Sequence, residues 1–356
     1  MAGILVVGGG PAGLESSWHL AERGQEVILI EADEELGGRP RWYTCKAVDQ
    51  CRKCGACLVS EKVYRVENHP AIKVMTGTEV SKAYHNGTGF QIKLSRGEAV
   101  VEIQVAGIIM ATGFDLLSPA RRPEMGYAHL DNVVTAHEME QMLAKGSGDW
   151  EDLLGAMARI AIVKCFGSRE SIPGVTIGDQ DGDQSLPGFW KHRSGVPYCS
   201  RVCCLYSEKL AVVLQDKIPG ATVDIFGIDN QKYHPVYAVG QNEGYRLIRG
   251  IPSRIYPGPG QAVSLRYEDG QRSLLSEGVY DWVVLCPAVL PGDKGRGLSE
   301  MLQVARDGHG FIVSRAGFTD QPGVFAAGSC TGPQTIVESL HSGQTAAENL
   351  LMSLGL

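Results

Sequence analysis

The feature that most constrains this chain is a glycine-rich turn close to its N-terminus. Gly8, Gly10 and Gly13 form the pattern G-x-G-x-x-G directly after the apolar run at residues 4–7. The segment that follows has leucine and tryptophan at helical spacing, so it predicts a helix that packs on the first strand. A turn without side chains lets the backbone approach a pyrophosphate at a helix N-terminus. The pattern therefore predicts a strand–turn–helix unit that binds a dinucleotide.

A second predicted strand, EVILIE, supports this interpretation because it ends in an acid. Glu31 lies about 20 residues beyond the glycines, where a carboxylate accepts hydrogen bonds from a ribose 2′-OH. The same carboxylate repels a 2′-phosphate, which disfavours NADP at this site. A glycine-rich turn in an unliganded sheet is the alternative interpretation. The predicted nucleotide contacts in this segment are Gly8, Gly10, Pro11, Ala12, Gly13 and Glu31.

Length, charge and cysteine content bound the class of protein. A length of 356 residues is enough for about two domains. The net charge of −7 argues against nucleic acid and against an anionic membrane surface as partners. No uncharged apolar run approaches ~18 residues, so no membrane-spanning helix is predicted, and the N-terminal apolar stretch is interpreted as a strand and not a signal peptide. We therefore expect a cytoplasmic protein, in which ten cysteines do not form a disulfide framework.

Two further segments resemble landmarks of flavoproteins with two dinucleotide-binding domains, of the thioredoxin-reductase-like type. One is VAGIIMATGFD at residues 105–115, and the other is a strand at 323–327 followed by a helix from near Gln334. The resemblance implies an α/β fold in which both ends of the chain bind FAD. The implied FAD domain comprises residues 1–115 and 285–356, and residues 116–284 form an inserted, nucleotide-binding-like domain. Ser329 stands where many relatives have an acid that holds the ribityl chain, and its hydroxyl can still form a hydrogen bond.

The inserted segment has α/β signals of its own. RIAIVKCFGSRE is a predicted buried strand, KLAVVLQDKIPG a helix and ATVDIFGID the next strand, and Asp269-Gly270 marks a hairpin turn. A nicotinamide-binding domain would have a second glycine fingerprint after the first of these strands. Cys165 and the residues Phe-Gly-Ser stand there instead, which disfavours NAD(P)H binding. Residues 171–196 are predicted to be a long loop.

Three cysteines after this loop have the spacing C-x3-C-C. If a helix begins at Cys199, then Cys199 and Cys203 lie one turn apart on one face, with Cys204 beside them. Cys165 is the candidate for a fourth thiolate, because ligands gather at the carboxyl ends of parallel strands. Four thiolates hold an iron–sulfur cluster or a zinc ion. A redox cluster fits better beside a flavin, and buried structural cysteines are the remaining alternative.

A second group of cysteines lies earlier in the chain, in CKAVDQCRKCGACLV. Cys51, Cys54 and Cys57 give the ferredoxin-like spacing C-x2-C-x2-C, and Cys45 is a candidate fourth ligand. The C-x3-C-P tail of a ferredoxin is missing. The segment therefore predicts either a second cluster or a redox-active or partner-docking cysteine loop.

Several motifs together resemble the A-type subunit of heterodisulfide reductase and its relatives. They are AIVKCFGSRES, PYCSRVCCLYSEKLA, GGRPRW, MATGFD and AAGSCTGPQTI, and they span nearly the whole chain. In that family, the cysteines that match Cys165, Cys199, Cys203 and Cys204 ligate a [4Fe–4S] cluster. The resemblance also implies FAD contacts beyond the first turn, at Gly38, Arg39, Thr112, Gly113, Gly328, Ser329, Thr335 and Ile336.

The resemblance implies an oxidoreductase subunit that relays electrons between FAD and one cluster or two. Other cluster-bearing subunits are its expected partners, and a homodimer is its expected assembly. No residue is assigned an acid–base role, because electron transfer needs none. The methanogen relatives carry extra ferredoxin-type modules that are absent here, which favours the type found in sulfur oxidation. The alternatives are a quinone-interacting flavoprotein subunit, an NAD(P)H-dependent flavin disulfide reductase and a scaffold subunit with a vestigial FAD site.

Overall fold

The chain divides into two compact units, and each is built on its own β-sheet. The computed structural model describes residues 3–44, 51, 54–87, 89–145, 150–170, 195–231 and 244–356. The first unit comprises residues 1–41, 55–115 and 290–356, and the second comprises residues 42–54 and 116–289. The predicted α/β fold is confirmed, because parallel strands are connected through helices in both units.

The first unit is a mixed sheet with helices packed on it. Its elements are β1 (Gly3–Val7), α1 (Pro11–Glu22), β2 (Val27–Ile30), α2 (Ala56–Glu67), β3 (Ile72–Met75), β4 (Glu79–His85), β5 (Phe90–Arg96), β6 (Ala99–Met110), α6 (Asp293–Leu302), β17 (Val324–Ala326) and α7 (Ile336–Leu354). The strand order is β3-β2-β1-β6-β5-β4, and β17 also pairs with β6. The pairs β1–β2, β2–β3, β1–β6 and β6–β17 are parallel, whereas β4, β5 and β6 form an antiparallel meander.

The central residues of β1 and all of β17 are buried on both faces of this sheet, as apolar parallel strands require. Ile4, Leu5 and Val6 of β1 are each at most 1% exposed. Parallel pairing brings the carboxyl ends of β1, β2, β6 and β17 to one edge of the sheet. The expected strand, turn, helix and strand at the N-terminus are all present, and the segment at 105–115 ends a longer strand than expected.

The C-terminal helix α7 packs closely on the N-terminal helix α1. A Cβ at Gly343 would lie 2.3 Å from the carbonyl oxygen of Ala12, so glycine is needed at this crossing. The hydroxyl of Ser16 donates to the carbonyl oxygen of Gly343 at 2.9 Å. Helix α7 begins at Ile336, two residues later than the sequence predicts. Thr335 and Glu338 form a capping box that fixes the N-terminus of the helix at this position.

The second unit has a parallel sheet and a smaller antiparallel one. Its elements are β8 (Val133–Thr135), α3 (Ala136–Lys145), α4 (Trp150–Leu154), β9 (Arg159–Phe166), α5 (Cys203–Lys217), β10 (Thr222–Gly227), β11 (Tyr245–Arg249), β12 (Pro252–Pro257), β13 (Val263–Asp269), β14 (Leu274–Tyr280) and β15 (Trp282–Pro287). The short strands β7 (Phe114–Leu116) and β16 (Val289–Pro291) carry the chain between the units.

Strand β9 occupies the centre of the parallel sheet, whose order is β11-β10-β9-β15-β8. The expected domain boundary at residues 284/285 falls inside β15, which pairs with β9 and β8 and so lies wholly in the second unit. The predicted hairpin is confirmed, since β13 and β14 pair in antiparallel register on either side of Gly270. Among the described helices, none is both long enough and apolar enough to span a bilayer.

Candidate functional site

The glycine turn between β1 and α1 is fixed by close contacts within the backbone. Gly8 has a φ of +109°, and a Cβ there would lie 2.3 Å from the carbonyl oxygen of Ala111 and 3.3 Å from the nitrogen of Thr112. A Cβ at Gly13 would lie 1.8 Å from the carbonyl oxygen of Gly8. At Gly10, by contrast, a Cβ would meet no atom within 4 Å. The chain itself requires Gly8 and Gly13, whereas Gly10 leaves open space at the N-terminus of α1.

The carboxylate of Glu31 is held beside this turn by backbone donors. The N–H of Gly9 donates to its Oε2 at 2.7 Å, and the N–H of Asp33 donates to its Oε1 at 2.9 Å. Each carboxylate oxygen has a further lone pair. The group can therefore accept a hydrogen bond from a ribose hydroxyl without losing the contacts that orient it.

Residues from the GGRPRW and MATGFD motifs lie around the same turn. A Cβ at Gly38 would lie 3.2 Å from the Cα of Gly10. Arg39 donates from Nη2 to the carbonyl oxygen of Phe114 at 3.3 Å, and its guanidinium lies over the Phe114 ring. Gly113 has a φ of +71° and open space around it. The two motifs, which are far apart in the sequence, thus meet at one edge of the sheet.

The C-terminal segment reaches the same edge from β17. A Cβ at Gly328 would lie 2.7 Å from the Cβ of Ala12, and Ser329 is buried next to it. Thr335 caps α7. Within the described part of the chain, the side-chain oxygen of Gln334 is buried and accepts no hydrogen bond. Sequence reasoning did not select Gln334, although its place just before the helix cap was a signal.

This edge of the sheet fits a bound dinucleotide. The open space at Gly10, the oriented carboxylate of Glu31 and the unpartnered oxygen of Gln334 are features that such a cofactor would use. The carboxyl ends of four strands supply the surrounding residues Gly8, Glu31, Thr112 and Gly328. Their roles toward FAD stay predictions.

The cysteines of the second unit gather at the carboxyl end of β9. Cys165 lies near the end of this strand, is buried, and has a φ of +59° where the register with β15 shifts. The backbone N–H groups of Arg169 and Glu170 donate to the carbonyl oxygens of Tyr198 and Val196 at 3.0 and 2.8 Å. These bonds carry the following segment, which includes Cys199, back to the end of β9.

The condition that a helix begins at Cys199 is not met, and the predicted helix at KLAVVLQDKIPG begins earlier than that segment. Helix α5 starts at Cys203, and Cys199 precedes it in irregular backbone, so the two cysteines are not one helical turn apart. A φ of +58° at Arg201 interrupts the chain between them. Cys203 and Cys204 occupy the first turn of α5, which is the position of the pyrophosphate in a nucleotide-binding domain.

The sulfur atoms of three cysteines are linked through Cys203. A hydrogen bond from the buried Cys203 thiol lowers the pKa of Cys165 to about 7. The same thiol, helped by the charge of Lys164, lowers the pKa of Cys204 to about 6. The pKa of Cys203 itself is raised well above its usual value, because hydrogen bonding with Cys165 and Cys204 and burial both favour its protonated form. The hydrogen bond to Asp229 raises the pKa of Arg169, and the nearby sulfurs of Cys199 and Cys165 raise it further.

Backbone N–H groups point at the sulfurs. Arg201 donates to the Sγ of Cys199 at 3.3 Å, and Gln231 donates to the Sγ of Cys204 at 3.4 Å. A backbone hydrogen bond from Ile228 contributes to the lowered pKa of Cys165. Donors of this kind stabilise thiolates, so the donor set suits an anionic iron–sulfur cluster. In the described ranges, no three His, Cys, Asp or Glu side chains form a ready group for a single metal ion.

The second cysteine group is described only in part. Cys45 lies outside the described residues, as do 46–50 and 52–53. Cys51 and Cys57 are exposed, and Cys54 is half-buried. Their assignment as a second cluster site stays a prediction.

A buried ion pair joins helices α3 and α5 within the second unit. Lys209 of α5 and Glu140 of α3 form a hydrogen-bonded pair and are 1% and 0% exposed. Thr44 donates to Glu140 from both its backbone N–H and its hydroxyl, at 3.0 and 3.1 Å. The ammonium of Lys209 also lies 4.8 Å from the ring centre of Tyr43. The pair therefore anchors the segment that leads into the cysteine loop.

Replacing Lys209 by methionine should strongly destabilise this unit. The change leaves Glu140 charged and buried without its cation, which costs about 3–5 kcal/mol. For a unit of this size, the thermal midpoint should fall by roughly 10 °C in calorimetry. The double variant Lys209→Met/Glu140→Met should recover most of the loss, and Arg272→Met, which removes an exposed charge, should change nothing measurable. An equally low midpoint in the double variant would contradict the explanation.

Comparison with known proteins gives a family model that matches the N-terminal part of the chain, and relatives that match nearly all of it. Residues 2–142 match the pyridine nucleotide-disulphide oxidoreductase family. The chain is 27% identical to a CoB–CoM heterodisulfide reductase iron-sulfur subunit of the A type from Methanopyrus kandleri, over 98% of this chain and 64% of that protein. It is 24% identical to the A-type subunit of the ferredoxin:CoB-CoM heterodisulfide reductase of Methanosarcina mazei, over 99% of this chain and 53% of that protein. The chain thus spans between half and two thirds of the length of these relatives.

Solved structures confirm the fold. The thioredoxin reductase of Lactococcus lactis superposes with a TM-score of 0.63 at 15% identity and covers 100% of both chains. The thioredoxin reductase of T. acidophilum gives a TM-score of 0.64 at 17% identity, over 100% of this chain and 99% of that chain. The two-domain flavoprotein fold that the sequence predicted is therefore present.

The predicted resemblance to the A-type subunit of heterodisulfide reductase is also confirmed, because the relatives named so match nearly the whole chain. The flavoprotein fold supports FAD as a cofactor. The chain thus has a thioredoxin-reductase-like fold, matches the pyridine nucleotide-disulphide oxidoreductase family over residues 2–142, and is similar over nearly its full length to the A-type subunit of heterodisulfide reductase.

Proposed function

We propose that this chain is an electron-transfer subunit of a heterodisulfide-reductase-like complex. It holds FAD in the first unit and a [4Fe–4S] cluster on Cys165, Cys199, Cys203 and Cys204 in the second. FAD, when bound, accepts electrons in pairs and passes them on singly, which is what a one-electron cluster requires. The chain's own part is to hold both groups and to set their potentials through hydrogen bonds, charge and burial.

The observation that supports this proposal best is the convergence of sulfurs and N–H donors at the end of β9. Cys165, Cys203 and Cys204 are buried and in contact through Cys203, and three of the four sulfurs accept a backbone N–H. A structural cysteine packed as a small apolar group would not need these donors. The positive end of α5, a helix of 15 residues, adds to the favourable field for thiolates.

The biological setting is part of the same proposal. The names of the relatives support other subunits of a heterodisulfide-reductase-like complex as partners. We propose that the chain acts in dissimilatory sulfur oxidation, in the cytoplasm and as a homodimer. A quinone-interacting flavoprotein subunit is the alternative role. Cys45, Cys51, Cys54 and Cys57 would hold a second cluster.

An NAD(P)H-dependent flavin disulfide reductase is the second candidate function. The match of residues 2–142 to the pyridine nucleotide-disulphide oxidoreductase family favours it. Cysteines at the start of α5, where a pyrophosphate would bind, argue against it. Under this alternative, anaerobic NADH or NADPH alone would bleach the flavin within a turnover, whereas the proposed subunit would keep its flavin absorbance.

Metal analysis of the anaerobically purified chain tests the proposal directly. One [4Fe–4S] cluster predicts about four iron and four acid-labile sulfide per FAD, and a second cluster on the Cys45–Cys57 group predicts about eight of each. Zinc measured on the same sample separates a thiolate zinc site from a cluster. Protein that binds FAD but has neither iron nor sulfide would contradict the proposal.

A further inference from the structure

A lysine is buried inside the strand that leads to the sulfur atoms. Lys164, in β9 directly before Cys165, is 2% exposed. Its ammonium donates to the Sγ of Cys204 at 3.5 Å and to the Oδ1 of Asn230 at 3.0 Å. A lysine is almost never buried unless its charge is compensated. The surroundings of Lys164 therefore need an explanation.

The neighbouring strand makes room for this side chain. A Cβ at Gly227 in β10 would lie 2.2 Å from Cε of Lys164 and 2.7 Å from its Cγ. Gly227 is not among the glycines with a positive φ, so its backbone conformation does not demand glycine. The missing side chain at Gly227 is what lets the lysine chain extend across the strand toward the sulfurs.

Asn230 connects the lysine to a buried acid. Its Nδ2 donates to the Oε1 of Glu208 at 2.6 Å, while its Oδ1 accepts from Lys164. Glu208, in α5 one turn after Cys204, is 3% exposed. The Asn230 amide thus links the buried cation of Lys164, which contacts the Cys204 sulfur, to the buried anion of Glu208. Such a charge pair is costly to bury without these contacts.

Other ionisable side chains around Lys164 come from several elements of the second unit. The thiols of Cys165 and Cys204 lie on β9 and α5, and Cys286 faces them from β15. Asp229, after β10, is paired with Arg169 at 2.8 Å. The ammonium of Lys164 thus donates directly to the sulfur of Cys204, whereas Arg169, which also interacts with Cys165 and Cys199, is paired with Asp229.

We propose that Lys164 is a positioning residue that holds a positive charge and an N–H donor on the Cys204 sulfur, and so favours the reduced state of the cluster. This inference rests on the proposed function. One electron from the reductant increases the negative charge of the cluster by one, and no proton is taken up. A fixed cation next to a ligand sulfur stabilises that added charge, and the anion of Glu208, which is linked to the lysine through Asn230, opposes it.

Redox titration of two charge-removing variants tests this proposal. The full chain with FAD is titrated anaerobically with dithionite, and the reduced cluster is followed by electron paramagnetic resonance. Lys164→Met should lower the equilibrium constant for cluster reduction by about tenfold, which is ~59 mV for one electron. Glu208→Gln, which keeps an oxygen acceptor for Asn230, should raise the same constant by about threefold.

Opposite signs distinguish electrostatics from loosened packing. Two shifts in the same direction, or no shift in either variant, would overturn the inference while leaving the cluster itself established. If Lys164→Met does not assemble a cluster, Glu208→Gln alone tests the proposal. An unchanged or lower equilibrium constant for cluster reduction in Glu208→Gln would then contradict it. Lys217→Met, at the opposite end of α5, is the matched control and should not move the potential. A wild-type chain without iron contradicts the proposed function instead.

Discussion

Replacing Cys203 by alanine should remove the iron, from about four per FAD to fewer than one, while FAD stays bound. Cys203 lies between Cys165 and Cys204 and contacts both sulfurs, so its loss takes away the central member of the ligand set. FAD is assigned to the other unit and does not depend on this thiol. Iron, sulfide and flavin are measured on the same anaerobic sample, together with the broad visible absorbance of the cluster.

Cys286→Ala is the matched control for this experiment. Cys286 is another buried cysteine of the same sheet, it lies near the same sulfurs, and it is not in the proposed ligand set. Both variants lose one sulfur from the core, but only Cys203→Ala should lose iron. If Cys203→Ala keeps its iron and Cys54→Ala loses it, the cluster is held by the earlier cysteine group, and our assignment is wrong.

Replacing Gly10 by alanine should lower the affinity for FAD by about 100-fold, or ~2.7 kcal/mol, without unfolding the chain. A Cβ at this position meets no protein atom within 4 Å, and Gly10 has an ordinary φ of −78°, so the fold accepts the change. The added methyl group would occupy the space in which a pyrophosphate approaches the backbone. Flavin content after dialysis and the thermal midpoint of the apoprotein measure the two effects separately.

Two glycines serve as controls for this variant. Gly13→Ala should reduce both FAD binding and stability, by about 1–3 kcal/mol or more, because its Cβ would lie 1.8 Å from a backbone oxygen. Gly297→Ala, inside α6 and also with open space around it, should leave FAD bound and stabilise the helix by up to ~1 kcal/mol. Full flavin content in Gly10→Ala would show that the open space is not the cofactor site.

The nucleotide-binding turn was predictable because its requirements are local. Gly8 and Gly13 must lack side chains for the strand and helix to meet, and these contacts lie within a few residues of each other. The acid at Glu31 and the buried strands follow from the same short-range pattern. The start of α5 at Cys203 could not be fixed from the sequence, because the backbone turn at Arg201 leaves no hydrophobic pattern that would reveal it.

The lysine in RIAIVKCF was a signal that sequence reasoning did not use. A charged residue within a run of buried apolar ones predicts either a strand edge or a compensated buried charge. Lys164 is a compensated buried charge, and the compensating groups come from positions 204, 208 and 230. No spacing rule connects these positions to the strand, since the contacts come from separate segments of the chain.

The α/β class, the N-terminal turn with its acid, and the candidate cysteines were predictable from the amino-acid sequence. They depend on backbone conformation and hydrophobic period, which neighbouring residues fix. Which groups meet became visible in the folded chain: Cys199 returns to the end of β9 through hydrogen bonds to residues 169 and 170, and Lys164 reaches Cys204 over Gly227. Contacts between distant segments depend on how the strands pair and where the helices pack, and the local pattern does not contain that information.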